Sequence, residues 1–337
     1  MREELLYEIQ NNFPLTKRPF LELANRLNSS EDKVIEILKK EKENGIIRQI
    51  SAIFDTRKLG YKSTLVAFEV EPSQIEEAAK IINHHPGVSH NYERNHKFNL
   101  WFTIATPPDS KLGLEKTIFY LQKMTNAKNS IILPTKKMFK IAVKLDTTKS
   151  LSKKEKISKK EFKDIKLTPK DFIAIRELQK DIPIIKEPFK DSIERLNLSY
   201  EEYFAIAKRL QEGGIMRRFS AILNHRKAGF VANAMSVWSV PKEKEEEIGE
   251  LFASYRAVSH CYLRPTYPSW PYNIFAMVHG QSKEECESII EEMSKESQIK
   301  EYDKLYSTRE FKKKRIQYFS PKFQEWEEEV LSKEPAL

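Results

Sequence analysis

Apolar and polar positions follow a helical period and then a strand period, and the chain runs through this change twice. Residues 2–12 and 169–180 pattern as amphipathic helices, the second opening with Thr168 at the N-cap and Pro169 at the first helical position. A short helix is predicted after each Pro-Phe pair, Pro19-Phe20 and Pro188-Phe189. A third helix follows Ser30 or Ser199 and stops at Gly45 or at Gly213-Gly214, where glycine suits a C-cap. The stretch from Ile46 to Phe54 is β-rich and reads as a wing, so each copy opens as a winged helix-turn-helix. The period then predicts strand, helix, strand, strand, helix, strand. In the first copy these fall at about 61–71, 74–84, 88–94, 98–106, 111–124 and 130–144. In the second they fall at about 230–240, 242–255, 257–264, 272–280, 282–297 and 300–311.

That order is the ferredoxin-like βαββαβ pattern, an antiparallel sheet with two helices on one face. The bare face needs a cover, and the second sheet of the same chain is the simplest one. The expected fold class is α+β: two tandem units, each a winged helix-turn-helix plus a ferredoxin-like domain, forming an internal pseudo-dimer. The expected boundaries are 1–58 and 59–146 for the first copy, 147–166 for a lysine-rich flexible linker, 167–227 and 228–315 for the second copy, and 316–337 for a C-terminal tail.

The duplication is legible residue by residue. Gly45-Ile46-Ile47-Arg48-Gln49-Ile50-Ser51-Ala52-Ile53 reappears as Gly214-Ile215-Met216-Arg217-Arg218-Phe219-Ser220-Ala221-Ile222, an offset of 169. Val88-Ser89-His90-Asn91-Tyr92-Glu93-Arg94 meets Val258-Ser259-His260-Cys261-Tyr262-Leu263-Arg264 at an offset of 170. Asn99-Leu100-Trp101-Phe102 meets Asn273-Ile274-Phe275-Ala276 at 174, which puts a four-residue insertion inside one hairpin of the second copy.

Composition narrows the picture. The 337 residues carry a formal charge of +9. Residues 147–166 hold eight lysines against three acids, and 309–315 hold five bases against one. The excess is therefore expected in a solvated linker and tail rather than on a folded face. Cys261 and Cys286 are too few for a disulfide framework or a cysteine zinc site, and a reducing cytoplasm is expected. No run of eighteen apolar residues predicts a membrane span, and the charged start MREELLYEIQ does not read as a signal peptide. No CxxC, HExxH, GxGxxG or Walker motif occurs.

The candidate chemistry lies on one strand of each copy. Side chains two apart share a strand face, so His90, Tyr92 and Arg94 stand together, with His96 at the hairpin end, as do His260, Tyr262 and Arg264. Ser89, Asn91 and Glu93 are expected on the opposite face. Imidazole, phenol and guanidinium make a poor core and a good wall for an anionic aromatic ligand; the competing expectation is a water-facing sheet edge. Arg48, Arg217 and Arg218 lie at the wings, where the plain expectation is contact with a nucleic-acid backbone or a solvated arginine, and the alternative is that they hold the carboxylates of that ligand. The inserted loop Pro265–Tyr272 carries Tyr267 and Trp270 between prolines. It reads equally as a stiff cover for a flat ring and as a packing loop at the pseudo-dimer interface. His84, His85, His225 and His279 lack a partner pattern and are expected to be structural or exposed. Both recognition helices open with acids, Glu31-Asp32 and Glu201-Glu202, which suits the helix dipole and opposes DNA phosphates.

The winged helix followed by a ferredoxin-like module resembles the Lrp/AsnC regulators. The runs Ser89–His96 with Asn99–Phe102, and Ser259–Pro265 with Trp270–Asn273, resemble the siroheme decarboxylases more specifically. The resemblance covers nearly all of the chain and suggests a fusion of two homologous subunits. It implies siroheme as substrate, with the C12 and C18 acetates losing CO2 to give didecarboxysiroheme for haem d1 or for siroheme-dependent haem synthesis. No separate cofactor is implied, since the iron belongs to the substrate.

By this resemblance His260 and His90, with Tyr262 and Tyr92, are the catalytic candidates. Arg48, Arg94, His96, Arg217, Arg218 and Arg264 are candidates for holding carboxylates, and Tyr267 and Trp270 for contacting the macrocycle. His90, His96 or His260 is alternatively an axial ligand to the substrate iron. Arg48 is followed by Gln49 where the second copy has Arg217-Arg218, so the second copy is expected to dominate. The expected partner is the tetrapyrrole, with no membrane and no specific nucleic acid; beyond the internal pseudo-dimer, a further homo-oligomer is left open. The alternative function is a ligand-responsive DNA-binding regulator of the Lrp/AsnC type.

Overall fold

The computed structural model describes residues 1–141, 162–223 and 232–333. The first copy runs α1 Arg2–Asn11, α2 Pro19–Arg26, α3 Glu31–Glu43, β1 Ile47–Phe54, β2 Lys62–Glu69, α4 Ile75–His84, β3 Val88–Arg94, β4 Leu100–Thr106, α5 Gly113–Met124, β5 Asn129–Leu133 and β6 Lys137–Ile141. The second runs α6 Pro169–Leu178, α7 Lys190–Leu196, α8 Tyr200–Glu212, β7 Met216–Leu223, β8 Ala232–Trp238, α9 Glu245–Ser254, β9 Val258–Leu263, β10 Ile274–Gly280, α10 Lys283–Ser297, β11 Tyr302–Leu305 and β12 Ser307–Lys313, followed by α11 Lys322–Ser332. Two compact units result: Met1–Tyr61 with Lys160–Ala228 and Gln317–Ser320, and Lys62–Lys159 with Gly229–Ile316 and Pro321–Leu337. Most of the stretch read as a linker lies outside the described residues.

The first unit holds both helix-turn-helices. Ser30 and Ser199 cap their recognition helices by accepting from the backbone of Lys33 and Glu202, at 3.4 and 3.2 Å. Gly45 and Gly214 follow those helices at φ +68° and +66°, a conformation that costs other residues a Cβ clash. The two stretches read as separate wings are one antiparallel ribbon: β1 pairs with β7, and Ser51 stands opposite its own counterpart Ser220. The pseudo-two-fold axis therefore passes between two buried serines.

In the second unit each sheet has five antiparallel strands, in the orders β12-β3-β4-β2-β5 and β11-β8-β10-β9-β6. The edge strand beside β3 comes from the second copy, and the one beside β9 comes from the first. The described part of 130–144, and 300–311 with its continuation, each read as one strand, are thus two strands that serve different sheets.

The exchanged strands are latched at equivalent points. Lys140 Nζ donates to the Tyr255 carbonyl at the C-terminus of α9, at 2.8 Å. Lys312 Nζ donates to the Asn83 carbonyl at 2.7 Å, at the C-terminus of α4, where the helix dipole favours a cation. The basic run 309–315 is accordingly not a tail: most of it is strand β12, with Lys312 half-buried and Arg309, Lys313, Lys314 and Arg315 exposed. Nor is 316–337 a tail throughout, because α11 buries Phe323, Trp326 and Val330, the last two in the core under the first sheet.

Helices cover one face of each sheet. Between the sheets lies a third apolar layer of Ala67, Phe98, Trp101, Ile131, Leu133, Met235, Val237, Trp270, Phe275 and Leu305. The bare faces expected from the sequence cover one another.

Candidate functional site

β3 and β9 carry the candidate chemistry on the face away from the helices. His90 pairs across the ladder with Thr103, and Tyr92 with Trp101; His260 pairs with Met277, and Tyr262 with Phe275. Cross-strand partners share a face, and Trp101 and Phe275 belong to the layer between the sheets. The alternate residues point at the helices: Asn91 donates to Asn83 Oδ1 at 3.0 Å, and Cys261 is buried under the second sheet. The rings of His90 and Tyr92 stack at 6.2 Å, and those of His260 and Tyr262 lie 6.0 Å apart.

Ser89 departs from the two-residue period. The register slips between Val88 and His90, and in the second copy between Met277 and Val278, so Ser89 and Ser259 are each the extra residue of a β-bulge that re-aims its side chain. Ser89 Oγ lies 2.9 Å from His90 Nδ1 and 2.7 Å from Thr103 Oγ1. Ser259 Oγ lies 2.7 Å from His260 Nδ1 and 2.7 Å from His279 Nε2. In both copies Nδ1 is engaged with a serine hydroxyl. His279, expected to be structural or exposed, is part of this cluster; its signal was the bulge, which spacing does not reveal. His84 meets Glu329 at the surface, and His85 is a core residue edge-on to Trp326 at 4.4 Å. His225 lies outside the described residues.

Arg94 and Arg264, expected to grip carboxylates, have another placement. Both are buried, at 7% and 8% exposure. Arg94 Nη1 donates to the Leu305 carbonyl at 3.0 Å, and Arg264 Nη1 donates to the Leu133 carbonyl. Each guanidinium also lies over its neighbouring tyrosine ring, 5.7 Å from that of Tyr92 and 4.9 Å from that of Tyr262. Leu133 and Leu305 are the last residues of β5 and β11, where the chain leaves one sheet for the other. These arginines therefore tie the strand exchange to the tyrosines. Burial lowers the Arg94 guanidinium to about 10, so it stays cationic at neutral pH.

The hairpin residues also pack. His96 Nδ1 accepts from the Phe98 backbone at 3.0 Å, and burial holds its imidazole below the usual range. Trp270 is fully buried, 5.2 Å from the rings of both His96 and Trp101. Tyr267 donates its hydroxyl to the Ile132 carbonyl at 2.5 Å. The inserted loop is thus the packing loop of the two expectations, not a ring cover, because its indole fills the space between the sheets.

In the first unit Arg217 pairs with Asp55 at 2.7 Å. Burial alone would raise the Asp55 carboxyl, but the Arg217 charge and the Lys58 and Arg57 backbone donors outweigh it and hold the group below its ordinary value. Arg218 is partly buried, and among the described residues its Nε has no partner. Arg48 is exposed. Gln49, at the position of Arg218, donates instead to Ser51 Oγ and to the Gln179 carbonyl at 2.8 and 2.9 Å. The acids heading the recognition helices are engaged: Glu31 is buried against Arg18, Asp32 meets Lys186 at 3.0 Å, and Glu202 closes the capping box of α8. None of the described helices is long and apolar enough to cross a membrane.

Comparison with known proteins bears on this geometry. The chain matches the family described as AsnC-like ligand binding domain over residues 58–140 and 227–312. It matches the siroheme decarboxylase NirDL-like HTH domain over 2–48 and 171–217. It is 43% identical over 330 residues to a siroheme decarboxylase of Hydrogenobacter thermophilus, covering 98% of both chains. Among solved structures it resembles the siroheme decarboxylase NirDL with 38% identity and a TM-score of 0.80, over 99% of both chains. It also resembles that protein in complex with an iron-uroporphyrin III analogue, with a TM-score of 0.78 over 98% of both chains.

Proposed function

The chain belongs to the siroheme decarboxylase family, and from that premise we propose that it converts the C12 and C18 acetates of siroheme to methyls, releasing CO2 and giving didecarboxysiroheme. For each acetate the bond between the carboxyl carbon and the methylene breaks, CO2 leaves, and the electron pair stays on the methylene carbon, spread into the ring. A proton delivered to that carbon completes the methyl. His260, with His90 as its counterpart, is the donor through Nε2, and Tyr262 and Tyr92 orient the imidazoles from beside them. The observation that carries this reading is the paired His-Tyr strand face, built twice with Nδ1 committed to a serine, in a chain of this family.

The other sequence-derived roles divide by placement. Arg94 and Arg264 act as positioning residues, since each reaches a carbonyl of the exchanged strand and the ring of its tyrosine. In the helix-turn-helix unit Arg217 is paired with Asp55, so Arg218 is the anion-holding candidate of that wing. His96 suits iron poorly: its Nδ1 accepts a backbone N–H, so the neutral ring carries its proton on Nε2. No separate cofactor enters, the iron being part of the substrate. Against the DNA-binding alternative stand the acids heading α3 and α8, which serve caps and ion pairs.

The test separates binding from chemistry. His260→Ala should bind siroheme with near wild-type affinity and lose two to four orders of magnitude in rate, roughly 3–5 kcal/mol of barrier. His90→Ala should slow turnover less than His260→Ala. Turnover unaffected by either histidine substitution would sink the strand-face assignment.

A further inference from the structure

The two copies differ behind their histidines. In the second, Ser259 Oγ stands 2.7 Å from His260 Nδ1 and 2.7 Å from His279 Nε2, one hydroxyl bridging two imidazoles. In the first, Ser89 Oγ stands 2.9 Å from His90 Nδ1 and 2.7 Å from Thr103 Oγ1. The place of His279 is taken there by Ala105. The Ala105 backbone N–H donates to the Gly87 carbonyl at 3.0 Å, as that of His279 donates to the Ala257 carbonyl at 2.9 Å. A methyl cannot carry a proton, and a threonine hydroxyl does not supply one near neutral pH.

We propose that Ser259 and His279 form a proton relay behind His260, so that the second copy can protonate the nascent methyl from a neutral imidazole while the first copy cannot. The inference rests on the decarboxylase reading. A neutral His260 that gave up its Nε2 proton alone would become an imidazolate. The relay removes that cost in one concerted shift. The Nε2–H of a protonated His279 passes to Ser259 Oγ, the Ser259 proton passes to His260 Nδ1, and the His260 Nε2 proton passes to the methylene carbon left by CO2. One proton enters at His279 and one C–H bond forms. Both imidazoles end neutral with the proton on Nδ1, and Ser259 ends as a hydroxyl. His279 reloads from solvent. Ser259 is buried at 4% exposure, which favours transfer along the chain over exchange with bulk water. His279 and Ser259 are positioning residues that act through His260.

Two substitutions test this. His279→Gln keeps a side chain able to hydrogen-bond Ser259 but unable to pass a proton on; Ser259→Ala breaks the chain at its centre. In anaerobic single turnovers with siroheme, each should slow decarboxylation by about 10²-fold or more, with siroheme Kd and melting temperature within about twofold and a few degrees of wild type. The proton inventory in H2O/D2O mixtures should be curved for the wild type and linear for His279→Gln, a change that a packing role would not produce. Independently of turnover, the 15N resonance of His260 Nδ1 in the full-length protein should be that of an unprotonated, hydrogen-bonded nitrogen and should shift in His279→Gln. A wild-type rate and inventory in His279→Gln, or a His260 Nδ1 resonance indifferent to it, overturns the relay. A wild type that leaves siroheme intact overturns the decarboxylase reading instead, and the resonance still decides whether the three groups are coupled.

Discussion

Trp270→Ala probes the layer between the sheets. The indole is fully buried, in contact with Trp101 and His96 at 5.2 Å and Tyr272 at 5.0 Å. A buried tryptophan hides on the order of 150–250 Å², about 4–6 kcal/mol at ~25 cal/mol per Å². Against this stands Nε1, which has no partner among the described residues; an unpaired buried N–H costs about 1–3 kcal/mol. The net cost of Trp270→Ala should therefore be about 1–5 kcal/mol, whose upper part is the usual range for emptying such a site. At about 2–4 °C per kcal/mol for a body of this size, the Tm of the sheet unit should fall by roughly 2–20 °C in a calorimetric scan. Trp270→Phe refills most of the volume and removes the unpaired N–H, so it should cost less than about 1.5 kcal/mol. A Trp270→Ala protein that melts within 2 °C of wild type while losing siroheme affinity would show that the loop covers the ligand, and would refute the packing argument.

Three other outcomes follow from particular residues. Burial drives the His85 imidazole down to about 3 from an ordinary 6.5, so the unfolded chain binds that proton first: stability is fully present above pH 6.5 and is lost as pH falls towards 3, by about 2 kcal/mol at pH 5, and His85→Asn should shrink the difference in Tm between pH 7.5 and pH 5. Lys312→Met should cost about 1–3 kcal/mol in urea denaturation because it releases the latch on α4, whereas Lys314→Met, exposed two residues on, should stay within about 0.5 kcal/mol; equal effects would return the basic run to the solvent. Fluorescence anisotropy with duplex DNA should show only weak, salt-sensitive binding, and a sequence-selective complex that survives raised salt would restore the regulator reading.

Much of this architecture was legible because the duplication and the change of period are local properties. The recognition helices, their serine caps and the terminal glycines could be placed from the residues themselves. The strand exchange could not. A run such as 130–144 announces extended backbone, but periodicity does not say which neighbour a strand pairs with, and the chain leaves one sheet for the other after Leu133 as after Leu305. Three errors follow from that one omission: Arg94 and Arg264 as open carboxylate clamps, the basic run as a tail, and each terminal strand as a single piece. In the site, the two-residue period placed His90, Tyr92, His260 and Tyr262 on one face. It misplaced Ser89 because a bulge adds a residue without leaving a mark in the hydrophobic pattern, and the same bulge hid the link between His260 and His279. Trp270 was ambiguous because an aromatic loop between prolines suits a packed interface as well as a ligand cover.

The central claim, that this chain decarboxylates siroheme, is tested most directly by anaerobic incubation of the full-length protein with siroheme and mass analysis of the tetrapyrrole. The expected product is lighter by two molecules of CO2, is formed through an intermediate lighter by one, and is formed far more slowly by His260→Ala. Siroheme bound and recovered unchanged, with all eight carboxylates intact, would contradict it.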